Sequence, residues 1–246
     1  MPHVVILSGP SCVGKSPLTR ALRTFYPDLA GELIAPVLFN DRTPRPGERD
    51  GVDYHFRSRE YLETLRDNPQ YLTMNVRRDI QALKLSDLEN ILAKKQIAFF
   101  EGNPYIATAL VDALQLPEEK FTTVFMSPLS AEEIKYLRAE VNDPAAIVTD
   151  VMRRKLIRRT QSHKCTLNQH DLDDIEARAQ AAWHELPYAL RFQWVLPNHD
   201  GEDSDNWSAF HYPLGDARKS LLDFAAMLQD ETPRWAEKWP ADLFDK

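Results

Sequence analysis

Short apolar runs rich in β-branched and aromatic residues alternate along this chain with longer segments in which apolar residues recur at helical spacing. The apolar runs predict buried strands, which we place at residues 3–8, 97–101, 121–126 and 192–196. A further strand is predicted at 33–39, where Pro36 favours an edge strand or a bulge. The helical spacing predicts helices at residues 15–25, 58–66, 86–95, 107–114, 131–140, 145–161, 171–185 and 216–228.

The alternation of strands and helices is typical of a parallel sheet covered by helices on both faces, so we predict an α/β fold. Two of the helices begin with the Ser-x-x-Glu pattern of a capping box, at Ser86–Glu89 and at Ser130–Glu133. The tail from 231 to 246 has no place in the alternating pattern. We expect it to be an appended arm, with a partner-binding segment as the alternative.

The composition is that of a soluble globular protein, with 43% apolar residues, 27% charged residues and a net charge of −7 over 246 residues. The acidic balance argues against broad binding to nucleic acid or to an anionic membrane. The apolar runs are far shorter than the ~20 residues that span a bilayer, and the N-terminus lacks the pattern of a signal peptide. We therefore expect a cytoplasmic protein, and a homodimer is compatible with the sequence.

Residues 9–16 read GPSCVGKS and match the pattern G-x-x-x-x-G-K-[ST] between a predicted strand and a predicted helix. Glycines let the backbone N–H groups of such a loop surround phosphates, and the helix N-terminus adds its positive dipole end. The pattern predicts that Lys15 reaches the β- and γ-phosphates of ATP and that Ser16 holds Mg²⁺. The alternative is a chance match in an ordinary turn. The candidate nucleotide-binding residues of this loop are Gly9, Ser11, Cys12, Val13, Gly14, Lys15 and Ser16.

Two residues of this segment allow more than one interpretation. Pro17 lacks a backbone N–H at a position that normally faces a nucleotide phosphate, so it weakens the hold on the α-phosphate or merely starts the helix. Cys12 is either a passive loop residue or a redox-sensitive thiol, because a helix N-terminus lowers the pKa of a thiol. The only other cysteine, Cys165, is distant in sequence, and the pair cannot form a disulfide framework.

Residues 42–56 read RTPRPGERDGVDYHF, which is the most specific string in the chain. Together with the loop at 9–16 it resembles the guanylate kinase family. The resemblance implies that Arg42, Arg45 and Tyr54 hold the phosphate of the phosphoryl acceptor. Two arginines in one turn-rich loop can also converge on a phosphate by their own chemistry. The alternative is a surface loop in which Arg45 and Glu48 form an unimportant ion pair.

The resemblance extends over roughly residues 3–228 through the segments 97–102, 125–133 and 185–200. It implies a P-loop kinase fold in a domain of residues 1–230, with an acceptor-binding insertion at about 35–95, a lid at about 138–165 and a C-terminal arm at 231–246. Asn198 is expected to line the adenine of ATP or to close a turn.

Glu101 and a group of arginines complete the candidate site. Glu101 ends a predicted buried strand, where doubly wound folds bind ligands, and we expect it to hold Mg²⁺ or the acceptor. The family's lid supplies arginines that stabilise charge on the transferring phosphoryl group. By position we expect this catalytic role, beside Lys15, for Arg138, Arg153 and Arg154; a solvated face is the alternative interpretation of the basic stretch at 151–159.

The acceptor-binding segment departs from the family pattern. The family recognises guanine with a serine, a glutamate and a tyrosine, whereas this sequence has Leu38, Thr73 and Gln81 near those positions. A polar site built for one base rejects analogues, so loss of its groups indicates a different acceptor. We therefore expect an ATP- and Mg²⁺-dependent kinase of a small phosphorylated acceptor, a nucleoside monophosphate other than GMP. The alternatives are a non-nucleotide acceptor such as a ribose phosphate and a non-catalytic module that binds a phosphorylated ligand.

Overall fold

Five strands form an all-parallel sheet at the centre of the computed structural model, which describes residues 4–44 and 47–245. The strands of the described chain are β1 (Val4–Ser8), β2 (Leu33–Ile34), β3 (Phe39–Asn40), β4 (His55–Phe56), β5 (Tyr71–Val76), β6 (Asp79–Lys84), β7 (Ile97–Gly102), β8 (Phe121–Ser127) and β9 (Trp194–Pro197). The central sheet has the order β2-β7-β1-β8-β9. Because β1 pairs with a parallel strand on each side, its carboxyl end lies beside those of β7 and β8.

Helices cover both faces of this sheet, as the sequence pattern predicts. The α-helices of the described residues are α1 (Lys15–Phe25), α2 (Pro27–Glu32), α3 (Arg59–Thr64), α4 (Leu85–Ala93), α5 (Pro104–Leu114), α6 (Ala131–Glu140), α7 (Pro144–Gln161), α8 (Gln169–Glu185) and α9 (Gly215–Leu228). Alternate residues of β1 point to opposite faces. Val5 and Leu7 pack with the apolar residues of α1 and α9, while Val4 and Ile6 pack with those of α4 and α5. The α/β fold with a mainly parallel sheet is confirmed.

A smaller mixed sheet, with the order β4-β3-β6-β5, lies in the segment between β2 and α4. Its antiparallel hairpin β5–β6 is absent from the sequence prediction. The turn between the two strands consists of Arg77 and Arg78, and Arg77 has a φ of 59°. Positive φ in a two-residue hairpin turn normally requires glycine or asparagine, so the usual sequence signal for this hairpin is missing.

Most predicted elements coincide with observed ones, but the strand predicted at 33–39 and the start of the helix predicted at 86–95 differ. The predicted strand at 33–39 is two strands, because Pro36 lies between β2 in the central sheet and β3 in the smaller one. The capping box at Ser130–Glu133 is confirmed, whereas the one predicted at Ser86 is wrong. Helix α4 begins one residue earlier, after Lys84, and no side chain caps it. Of the predicted strand at 3–8, His3 lies outside the described residues.

The C-terminal arm packs along the edge of the central sheet. Glu237 and Val195 of β9 exchange backbone hydrogen bonds of 2.7 and 2.8 Å. The buried carboxylate of Asp223, in α9, accepts hydrogen bonds from three successive backbone N–H groups of the arm, at Arg234, Trp235 and Ala236. Leu243 is buried in the core cluster that also contains Val195. Among the described helices, none combines the length and apolarity required to cross a lipid bilayer.

Asp223→Asn should lower the free energy of unfolding by about 3 kcal/mol, because a neutral amide cannot replace a charged acceptor of three hydrogen bonds. Urea denaturation followed by circular dichroism measures the change. Glu231→Gln is the matched control, since the Glu231 side chain is exposed. Equal stability of the two variants would contradict the proposed anchoring of the arm.

Candidate active site

The loop at residues 9–16 leaves the carboxyl end of β1 and enters α1 along a path that two glycines permit. Gly9 has a φ of 138°, and a Cβ atom there would lie 2.2 Å from the carbonyl oxygen of Met126 in β8. Gly14 has a φ of 109°, and its Cβ would lie 2.5 Å from the side-chain nitrogen of Asn198. Side chains are excluded at both positions, so the loop can lie directly against β8 and the segment after β9.

Lys15 is buried at the centre of this loop. Its Nζ donates hydrogen bonds of 2.8 Å to the carbonyl of Gly9 and 2.7 Å to that of Pro10. Burial lowers the pKa of Lys15, although the charges of Glu202 and Glu101 oppose this shift. A buried ammonium held by neutral carbonyls lacks a close anionic partner, and a phosphate group would provide one.

Ser16 brings a hydroxyl to the carboxylate of Glu101. The hydroxyl of Ser16 donates to one oxygen of Glu101 at 2.8 Å, and the hydroxyl of Thr19 donates to the other at 2.9 Å. Glu101 reaches this place because it pairs with Leu7 near the end of the neighbouring parallel strand. Hydroxyl and carboxylate oxygens suit Mg²⁺, which is usually held by one or two carboxylates together with substrate phosphates. These residues therefore fit the metal that the sequence motif implies.

Cys12 belongs to the wall of the cleft, but it is fully buried. Its side chain packs in a buried cluster with residues of α7 and α8, including Met152 and Ile175. Burial, together with the charge of Glu202, raises the pKa of Cys12 to about 12. Such a thiol stays protonated at neutral pH, which argues against the redox-sensitive alternative.

Asn198 is hydrogen-bonded to the phosphate loop and does not line the cleft. Its side-chain nitrogen donates hydrogen bonds of 2.7 Å to the carbonyls of both Val13 and Asp200, and the residue is buried. The expected contact of Asn198 with adenine therefore needs correction in favour of the turn-closing alternative. Val13 likewise packs in the core beside α1, whereas Ser11 contributes to the cavity.

A cleft of about 470 Å³ runs from the phosphate loop to the smaller sheet. It joins Gly9, Ser11, Lys15, Ser16 and Glu101 to residues of the second motif. Cationic side chains from five different segments line it: Lys15, Arg23, Arg42, Arg77, Arg78, Arg159 and Arg178. Five carboxylates also line the cleft, so the cations outnumber the anions by two and still favour a negatively charged ligand. They are Asp53, Asp79, Glu101, Asp174 and Glu202.

Arg42 lies at the acceptor end of the cleft with its guanidinium group held in place. It donates two hydrogen bonds, of 2.7 and 2.6 Å, to the carboxylate of Glu48. The same group lies 5.1 Å from the ring centre of Tyr54 and 5.4 Å from that of Phe56. Arg42 and Tyr54 both line the cleft, so the structure brings them together. Arg45, predicted to share this role, lies outside the described residues.

The three positions expected to differ in base recognition lie on two faces of the smaller sheet. Leu38 and Gln81 line the cleft, and the side-chain oxygen Oε1 of Gln81 accepts a hydrogen bond of 3.0 Å from the side-chain nitrogen of Asn103. Thr73 pairs with Ala82, and the register places both on the opposite face, so Thr73 is not part of the cleft. Successive side chains of the hairpin alternate between its two faces, and counting along the sequence does not show to which face Thr73 belongs.

None of the three predicted catalytic arginines lines the cleft. Arg138 donates to the backbone carbonyls of Leu243 and Asp245 in the C-terminal arm. Arg153 binds Glu176 on α8 at 2.6 and 2.9 Å, and Arg154 binds Asp150 at 3.0 Å. These assignments need correction, because Arg138 of α6 is bound to the arm and the two arginines of α7 are bound to acids outside the cleft.

The arginines that do reach the cleft from this region are Arg159 of α7 and Arg178 of α8. Arg178 is tied to Asp174 by a hydrogen bond of 2.9 Å, and Arg159 binds Glu202 at 3.0 Å. Sequence reasoning missed Arg178 and did not select Arg159 within the basic stretch. A helical sequence shows which residues share a face, but not which face meets the site.

Pro17 is buried in the first turn of α1, where Leu18 donates its N–H to the carbonyl of Gly14. Pro17→Ala should therefore tighten ATP binding about fivefold, because it restores a backbone donor near the phosphates worth ~1 kcal/mol. Calorimetric titration with Mg-ATP measures the change. Pro27→Ala, at the start of α2 and outside the cleft, is the control. Unchanged or weaker binding by Pro17→Ala would show that the proline only starts the helix.

Comparison with known proteins adds an independent line of information. The family model for guanylate kinase matches residues 1–186. The guanylate kinase of Synechococcus sp. (strain JA-3-3Ab) is 28% identical over 220 residues, which cover 86% of this chain and 82% of that protein. The guanylate kinase of Mycolicibacterium paratuberculosis (strain ATCC BAA-968 / K-10) is 34% identical over 192 residues, which cover 75% of this chain and 78% of that protein.

A similarity at the level of the fold extends over nearly the whole chain. The crystal structure of guanylate kinase from Anaplasma phagocytophilum superimposes with a TM-score of 0.53 at 16% sequence identity. The match covers 95% of this chain and 87% of that one. It supports the P-loop kinase fold that the resemblance implies.

Proposed function

Because this chain belongs to the guanylate kinase family and is an ATP-dependent phosphotransferase, we propose that it phosphorylates a small phosphorylated acceptor other than GMP. The donor is ATP, used with Mg²⁺. The proposal concerns the acceptor, and its main support is the wall of the cleft beyond Arg42.

That wall offers little to a guanine ring. Guanine presents N–H donors that need acceptors on the protein, such as a carboxylate. The segment between β2 and β3 contributes Ala35, Pro36, Val37 and Leu38, none of which has a polar side chain. On the facing strand, the side-chain oxygen of Gln81 already accepts a hydrogen bond from Asn103. Unpaired donors in such a site would cost a guanine ring binding energy, so another acceptor is favoured.

GMP is the second candidate, and one side chain favours it. Asp79 lines the cleft, and burial together with the charge of Asp41 raises its pKa. A carboxylate there could accept from guanine. However, Asp79 directly follows Arg77 and Arg78 of the hairpin turn, which also line the cleft, so cations adjoin this carboxyl group. A ribose phosphate remains the third candidate, because it needs no group that reads a base.

The residues of the cleft have separate roles in phosphoryl transfer. Lys15 and the loop N–H groups bind the ATP phosphates. Arg42 and Tyr54 hold the acceptor's phosphate. Ser16 and Glu101 would hold Mg²⁺, which neutralises negative charge on the phosphate oxygens when bound. Catalysis then consists of positioning and charge stabilisation.

The transfer balances without a covalent intermediate on the protein. An oxygen of the acceptor's phosphate forms a bond to the γ-phosphorus of ATP as the bond from that phosphorus to the β–γ bridging oxygen breaks. ADP leaves with the electron pair of the broken bond. Any proton on the attacking oxygen is released to solvent.

A screen of ADP release across ribo- and deoxynucleoside monophosphates and sugar phosphates tests the proposed acceptor. We expect kcat/KM for GMP to be at least about tenfold below that of the best acceptor, the factor expected for one unpaired buried donor. A screen in which GMP gives the highest kcat/KM would refute the proposal and favour recognition through Asp79.

Arg42→Ala should raise the KM for the acceptor at least about tenfold and change the KM for ATP less than twofold, because it removes charge-assisted hydrogen bonds to the acceptor alone. Arg42→Lys should fall between, since lysine cannot form the bidentate contact. Arg57→Ala, which removes an exposed ion pair with Asp50, is the control. Equal effects of Arg42→Ala on both KM values would contradict the assignment.

A further inference from the structure

The phosphate end of the cleft contains a carboxylate among its cations. Glu202 lines the cleft with Lys15 and Arg159, and Arg159 donates to its carboxylate at 3.0 Å. The two side chains are only 19% and 17% exposed. Burial raises the pKa of Glu202, but the charges of Arg159 and Lys15 outweigh burial and hold that pKa below its ordinary value. Glu202 is therefore an anion beside the cations Arg159 and Lys15.

The backbone holds Glu202 directly against the phosphate loop. Its N–H donates to the carbonyl of Cys12 at 3.1 Å. The preceding Gly201 approaches the same carbonyl so closely that a Cβ atom would lie 2.4 Å from it. From the other side, Lys155 of α7 donates to the carbonyl of His199 at 2.6 Å. The carboxylate of Glu202 thus has a defined position beside the loop that binds ATP phosphates.

His199 fixes the start of the same segment. Its ring bridges Asp216 of α9 at 2.6 Å and Glu133 of α6 at 2.8 Å. Although burial lowers the pKa of His199, its hydrogen bond with Asp216 and the charge of Glu133 raise it overall. The segment that presents Glu202 is thereby tied to α6, α7 and α9.

We propose that Glu202 competes with the γ-phosphate of ATP for Arg159, and that Arg159 is a catalytic residue that transfers its contact from Glu202 to the moving phosphoryl group. A phosphate group carries more charge and more acceptor oxygens than a carboxylate, so it displaces Glu202 from the guanidinium. Before ATP binds, Glu202 keeps Arg159 extended toward the loop. The cost is a lower affinity for ATP, as for any ligand that must displace an internal competitor.

This inference rests on ATP as the phosphoryl donor and not on the identity of the acceptor. Arg159 acts only by its charge, and neither it nor Glu202 forms a covalent bond in the transfer. Because ADP lacks the γ-phosphate, the competition should affect ATP binding and leave ADP binding nearly unchanged.

Calorimetric titration of Glu202→Gln with Mg-ATP and with Mg-ADP tests the competition without an acceptor. The amide keeps the size of the side chain and removes its charge. We expect the Kd for ATP to fall at least about fivefold, a usual lower value for coupled sites, and the Kd for ADP to change less than twofold. An unchanged or higher Kd for ATP would overturn the competition and leave Glu202 as a structural partner of Arg159.

Steady-state turnover with the best acceptor tests Arg159. Arg159→Ala should lower kcat about a hundredfold, as loss of one transition-state donor does, with less than a threefold change in the KM for ATP. Arg159→Lys should recover part of kcat because it keeps the charge. Arg158→Ala is the matched control, since the exposed Arg158 binds Asp203 outside the cleft and should retain normal kcat.

Thermal unfolding and turnover together distinguish a folding defect of Arg159→Ala from the absence of a catalytic role for Arg159. Thermal unfolding shows whether Arg159→Ala folds, and Arg159→Lys and Glu202→Gln answer the question if it does not. A normal kcat for Arg159→Ala would overturn the catalytic role. A failure of the proposed acceptor leaves these tests intact, because the ATP and ADP titrations need no acceptor and the turnover assay uses whichever acceptor is active.

Discussion

The close approach of the phosphate loop to β8 is the constraint on which the rest of the site depends. A side chain at Gly9 would collide with the carbonyl of Met126, so the loop can follow its path only with glycine there. Along that path, the ammonium of Lys15 folds back to the carbonyls of its own loop. Ser16 contacts Glu101 in β7, the strand on the other side of β1. The parallel order of three strands therefore brings an ammonium, a hydroxyl and a carboxylate to one edge of the sheet.

Three guanidinium groups of the cleft are each held by a carboxylate. Arg42 is held by Glu48, Arg159 by Glu202, and Arg77 by the fully buried Glu185 at 2.7 and 3.0 Å. A carboxylate that orients an arginine reduces the entropy lost when the arginine meets a phosphate. The same carboxylate also competes with that phosphate. The balance between these two effects differs with the position of each acid, and Glu202 lies closest to the loop that binds ATP.

The sequence predicts the donor end of the site better than the acceptor end, and the reasons are physical. The geometry of residues 9–16 is local, because glycine conformations and the helix start are encoded in the motif itself. Arg42 and Tyr54 lie together because they belong to one loop. The expected position of Thr73 in the acceptor site is wrong. The face on which Thr73 lies depends on the pairing register of a hairpin that lacks the usual turn residues.

The lid arginines illustrate a different kind of error. Arg138, Arg153 and Arg154 have the right chemistry, but their orientation follows from the packing of the arm and of α7 against α8. That packing involves contacts between residues far apart in sequence, which no local pattern contains. Arg159 and Arg178 reach the cleft for the same reason. Tertiary packing thus decides which of several equivalent cations becomes functional.

The central claim is that the buried charge of Lys15 organises a site for the phosphates of ATP. Calorimetric titration of Mg-ATP into the native protein and into Lys15→Met, which keeps the length of the side chain and removes its charge, tests this most directly. We expect the native protein to bind at micromolar to millimolar ATP and Lys15→Met, still folded, to bind at least about tenfold more weakly. Equal affinity of the two proteins would contradict the central claim.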